Sequence, residues 1–101
     1  MREMAQLDPK FQPYYQAAAS ADVVVKNKPG YLKAIILGKF VSGGIVEVSD
    51  HATDGDGNVK IYITSGTTDT SYPKTIPVDC EFKVGITADI TNYTNLTFIY
   101  R

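Results

Sequence analysis

The sequence predicts an all-β fold, a small antiparallel sandwich of jelly-roll type with an extended N-terminal arm. Three observations predict it. Short runs alternate apolar and polar residues, turn signals recur at roughly ten-residue spacing, and no helical segment interrupts the series after Ala21.

The clearest strands come first. In "NVKIYIT", Val59, Ile61 and Ile63 alternate with Lys60, Tyr62 and Thr64, the period of two that puts one face in a core. "EFKVGITA" repeats the pattern with Phe82, Val84, Ile86 and Ala88, and "LTFIYR" does so with Leu96, Phe98 and Tyr100. "DVVVK" (22–26), "YLKAIILGKF" (31–40) and "GIVEVS" (44–49) add three more, and "KTIPVD" (74–79) reads as an edge strand because Pro77 has no N–H for a ladder. Turns fall at "NKPG", "SGG", "HATDGDG", "SGTTDTSYP" and "TNYTN". Two hairpins are expected, 44–49 with 58–64 and 81–88 with 96–101, each at the centre of one sheet.

Residues 1–20 differ in composition. They hold Pro9, Pro13 and three consecutive alanines, with Phe11, Tyr14 and Tyr15 but no sustained helical stripe. The chain therefore divides into an arm (1–20), with one helical turn at most, and a sandwich domain (21–101). Aromatic residues outside the alternating strands would be left in water by a free arm. Phe11, Tyr14 and Tyr15 are accordingly read as partner contacts on a neighbouring chain, in preference to an arm folded back over an open edge of its own sandwich.

Charge and length exclude several functions. With 101 residues there is room for one modest core, burying roughly 60–70% of the unfolded surface. Ten Lys and Arg against eleven Asp and Glu give a net charge of −1, so no overall field recruits nucleic acid or an anionic membrane. The apolar runs are far shorter than the ~20 residues of a membrane helix. The N-terminus lacks the apolar centre of a secretory signal, which with the lone Cys80 indicates a reducing compartment and no disulfide. Cys80 reads as an ordinary strand residue, and the sequons at Asn92 and Asn95 as turn residues.

The stretch "DHATDGDGNVKIYI" raises the question of calcium. A helix–loop–helix calcium site needs glycine at position 6 and a bidentate Glu at position 12. Counting from Asp54 puts Val59 and Ser65 there; counting from Asp50 puts Ala52 and Ile61 at positions 3 and 12. Both registers fail, and the segment reads as a solvent-facing hairpin loop with no metal. His51, the single histidine, has no recognisable nucleophile beside it, and no phosphate-cradling glycine loop occurs. No catalytic residue and no cofactor are assigned. Lys26, Lys28, Lys33 and Lys39, interleaved with Tyr31 and Phe40, read as a solvated face rather than a nucleic-acid surface.

From "KNKPGYLKAIILGKFVSGGIVEVSDHATDGDGNVKIYIT" through "IPVDCEFKVGITADITNYTNLTFIYR" the chain resembles small β-sandwich virion structural proteins of tailed bacteriophages. The likeness spans residues 23–101 and rests on spacing and turn chemistry, without a catalytic motif. It implies a non-enzymatic capsid cement or decoration protein, self-associating and bound to the major capsid protein or another virion protein, located in the virion after assembly in the host cytoplasm. In that setting Phe11, Tyr14 and Tyr15 would be the anchors, and loops 51–57 and 65–73 the exposed tips. A tail or head–tail connector protein suits the same fold. A carbohydrate-binding module using Tyr31, Tyr62 or Tyr72 is the competitor from another class.

Overall fold

The computed structural model describes residues 10–39, 42–55, 57–65 and 72–101. Among these residues eight strands form two four-stranded sheets: β1 (Gln12–Gln16), β2 (Val23–Lys26), β3 (Gly30–Leu37), β4 (Ile45–Asp50), β5 (Val59–Thr64), β6 (Lys74–Phe82), β7 (Ile86–Thr91) and β8 (Leu96–Tyr100). The first sheet runs β1-β8-β3-β6 and the second β2-β7-β4-β5, with every pairing antiparallel. This is the strand order of an eight-stranded jelly roll.

Among the described strands only β4 and β5 are consecutive neighbours in one sheet; every other connection crosses between sheets. The expected hairpin of 44–49 with 58–64 is therefore present, as β4–β5. The second expected hairpin is not. Residues 81–88 are divided between the end of β6 and the start of β7, and β7 and β8 lie in different sheets. The period of two continues in sequence through Lys83 and Val84, but Val84 is half-exposed because the chain is turning there between the layers.

The inward faces meet in one core. Leu32, Ile35, Leu37, Leu96 and Phe98 come from the first sheet, and Val46, Val48, Ile86, Ala88 and Ile90 from the second, all buried. Val59, expected on this face, is exposed. The β4–β5 register shifts between Val48 and Ser49, leaving Lys60 as the extra residue, and a slip of one residue turns a side chain to the opposite face. The crossover "TNYTN" also contributes to the core. Asn92 and Asn95 take positive φ (65° and 58°), and between them Tyr93 is driven fully inside. Its ring lies against Gly44, where a Cβ would sit only 2.7 Å from Cε2.

The N-terminal segment belongs partly to the sandwich. Residues 12–16 form an edge strand on β8, in register from Gln12 opposite Tyr100 to Gln16 opposite Leu96, where the sequence suggested a helical turn at most. Pro13 suits this edge position, and Pro77 occupies β6, the other edge of the same sheet, as expected of a residue that cannot donate to a ladder. The predicted break after Asp79 is absent. Asp79 instead adopts a φ of 48° beside a register shift, and the strand bulges and continues to Phe82.

Candidate functional site

Strand direction gathers the ends of β2, β4, β6 and β8 and the beginnings of β3, β5 and β7 at one end of the sandwich. Three features there bear on function: a corner held by Asp50, a loop laid over the second sheet, and an open cleft.

Alternation along β4 turns Val46 and Val48 inward, and Asp50 follows them at the end of the core, 8% exposed. Its carboxylate meets the β6–β7 crossover. Oδ2 accepts the N–H of Lys83 at 2.9 Å, and Oδ1 accepts those of Val84 at 2.7 Å and Gly85 at 3.3 Å. Burial pushes the carboxyl up, but these three N–H donors and the charge of Lys60 outweigh it, so the net pKa lies below the ordinary carboxylate value. Asp50 is a backbone fastener, with its oxygen acceptors already used.

The loop 51–57 was expected to face solvent. It folds back across the outer face of the second sheet instead. Ser49 and Thr87 point away from the core yet are fully buried, because Ser49 Oγ donates to the Gly55 carbonyl at 2.6 Å and Thr87 Oγ1 to the His51 carbonyl at 2.5 Å. Gly55 donates its N–H to Asp22 Oδ1 at 2.9 Å and lies so close to the sheet that a Cβ would be 2.7 Å from the Ala88 carbonyl oxygen. His51 Nδ1 accepts the N–H groups of Thr53 (3.1 Å) and Asp54 (2.9 Å), which makes the histidine a turn cap. Asp56 lies outside the described residues, as do residues 66–71 of the other expected tip and Phe40 of the lysine–aromatic face.

The cleft, about 610 Å³, is lined by Lys26 from β2, Tyr31 from β3, Glu81 from β6, Lys83 from the crossover and Arg101 after β8. Tyr31 and Arg101 exchange backbone hydrogen bonds, N–H to carbonyl at 2.9 Å and 3.0 Å, so the chain beyond β8 is tied to the start of β3. The Tyr31 hydroxyl donates to Asp79 Oδ1 at 3.0 Å. Its pKa is raised, first by partial burial and then by the hydrogen bond and negative charge of Asp79, with Arg101 opposing.

The three aromatic residues of the arm have separate positions. Tyr14 sets its ring edge-on to Phe98 at 6.4 Å and packs on the core. Phe11 lies beside Tyr31, with centroids 6.0 Å apart, and carries the Arg101 guanidinium at 4.7 Å and Lys33 Nζ at 5.1 Å over its ring. Tyr15 is 58% exposed and donates its hydroxyl to Asn95 Oδ1.

The sheet edges differ in what interrupts them. Pro13 and Pro77 interrupt β1 and β6, and β2 has four residues and a register shift. β5 holds six residues without proline, and its Val59 (41% exposed) and Tyr62 (59%) stand in solvent. Reading the sequence missed Lys83, Glu81 and Arg101 as neighbours of Tyr31, because they lie at least fifty residues away along the chain. It also missed Asp50 as a fastener, since an Asp heading a glycine-rich run looks like part of the turn.

No protein-family model, curated protein or solved structure matches this chain.

Proposed function

We propose that the protein is a non-enzymatic structural protein of a tailed-phage virion, a capsid cement or decoration protein that binds the assembled lattice. The observation that carries this reading is the β5 edge, which no described strand pairs on its outer side. Such an edge offers backbone N–H and C=O groups to a further strand, and Val59 and Tyr62 add apolar area beside it. Two further points support it: the resemblance of residues 23–101 to small virion sandwiches, and a jelly-roll strand order that recurs in viral capsid domains. Fold alone does not specify work, since lectins share this architecture.

The mechanism is additive binding. A protein that binds the closed lattice better than its separated subunits stabilises it by mass action. Tyr14 is occupied by Phe98, so the exposed Tyr15 and the β5 residues are the better anchors.

Co-sedimentation with purified particles tests the proposal. The wild-type protein pellets with the particles at hundreds of copies each, and the Val59→Lys/Tyr62→Lys double variant stays in the supernatant. A dozen copies or fewer would move the protein to the tail or its connector. Absence of any co-sedimentation, or undiminished binding by the folded double variant, would overturn the reading.

A further inference from the structure

The cleft between the ends of β2, β6 and β8 and the start of β3 combines features that adhesion through β5 does not use. Lys26, Lys83 and Arg101 reach it from three separate parts of the chain, and among the described residues none of the three forms an ion pair. The charge is local, since the whole chain carries a net −1.

Arg101 is also held in place before anything binds. Its guanidinium sits 4.7 Å from the Phe11 centroid and 5.2 Å from that of Tyr31, so two rings hold it by cation–π contact, and it makes no side-chain hydrogen bond to a described residue. A guanidinium so placed suits a carboxylate or phosphate, which it can meet with two parallel hydrogen bonds. Gly30 keeps the floor low. A Cβ there would lie 2.7 Å from the Arg101 carbonyl oxygen and 2.8 Å from Lys26 Cδ.

Size and polarity narrow the ligand. A volume of about 610 Å³ far exceeds an inorganic ion and falls within the ~300–1,000 Å³ of small-molecule sites. Glu81 lines the same cleft. A carboxylate among three cations gains nothing from a bare polyanion, but it accepts hydrogen bonds from hydroxyl groups carried on the same molecule.

We propose that this cleft binds a small acidic sugar, its carboxylate or phosphate held by Arg101, Lys83 and Lys26 and its hydroxyls by Glu81. The site is independent of lattice binding, so failure of either proposal leaves the other standing.

Titration of the 15N-labelled protein tests it, with glucuronate, glucose 6-phosphate, glucose and inorganic phosphate as probes. One or both acidic sugars shift the amides of Gly30, Lys83 and Arg101, and whichever binds more tightly identifies the preferred anion. Glucose leaves those amides in place. Lys26→Gln/Lys83→Gln keeps the dispersed spectrum of a folded protein and weakens binding at least tenfold. The proposal falls if neither acidic sugar shifts these amides, if inorganic phosphate or glucose binds as tightly as the better sugar, or if the folded double variant binds unchanged.

Discussion

Asp50 at the end of β4 accepts the N–H of Val84 at 2.7 Å, across a sequence separation of 34 residues. The contact fixes the point at which the chain leaves the first sheet and enters the second. Removing it leaves the Lys83, Val84 and Gly85 donors to find water at a buried corner, so Asp50→Ala should cost about 2–3 kcal/mol in urea unfolding at neutral pH.

The same group sets an acid limit. Its pKa is depressed in the folded state, so its contribution is complete above the ordinary unfolded value of ~3.9 and is lost as pH falls through the folded value. Melting temperature plotted against pH should drop in that acid range for the wild type. Asp50→Asn, which cannot titrate, should be less stable at neutral pH and show a shallower acid limb.

Gly55 is pressed on the second sheet with no room for a Cβ, and the obstructing atoms belong to the Ala88 and Asp89 backbone, which cannot turn aside. Gly55→Ala should lift the loop, expose the Ser49 and Thr87 hydroxyls and cost about 1–3 kcal/mol. Faster hydrogen exchange at position 55, with Val46 and Val48 still protected, would distinguish local lifting from global loosening.

At the other end of the sandwich, Gly44 faces the Tyr93 ring. A flat ring wedged among core residues has little freedom to yield, so Gly44→Ala is expected to lose about 1–3 kcal/mol. Calorimetry should show part of that loss recovered when Tyr93→Leu is added, because the smaller side chain makes space for the methyl group.

Deleting residues 1–16 removes β1 along with Tyr14. That exposes one side of β8 and uncovers Phe98, so the truncated protein should unfold at a lower temperature than the full chain. An unchanged melting temperature would mean that β1 is dispensable to the sandwich. Tyr14→Ala alone should reproduce part of the loss.

Much of this architecture was legible in the sequence, and the misses share a cause. Alternation located Ile86 and Ala88 of β7 and Leu96 and Phe98 of β8 as inward residues, and Pro77 marked an edge. Alternation is a local signal, however, and cannot show which layer a strand joins. "EFKVGITA" kept its period across a change of sheet, so the crossover at Lys83–Gly85 was invisible without Asp50, which lies far back in the chain. Loop 51–57 was read from its turn residues, correctly as a connection but wrongly as a free one, because its contacts with Thr87 and Ala88 are long-range. Tyr14 shows the same limit, since nothing near it announces Phe98 as its neighbour. The cleft lies wholly in this blind region, assembled from segments that come together only in three dimensions.

The strand order also governs when the protein can fold. β8 sits between β1 and β3, so the first sheet lacks its central partner until residues 96–100 have left the ribosome. Apart from the β4–β5 hairpin, most contacts must then close a long loop, a topology associated with folding in milliseconds to seconds rather than microseconds. During synthesis β1 waits with its partner positions vacant for almost the whole length of the chain.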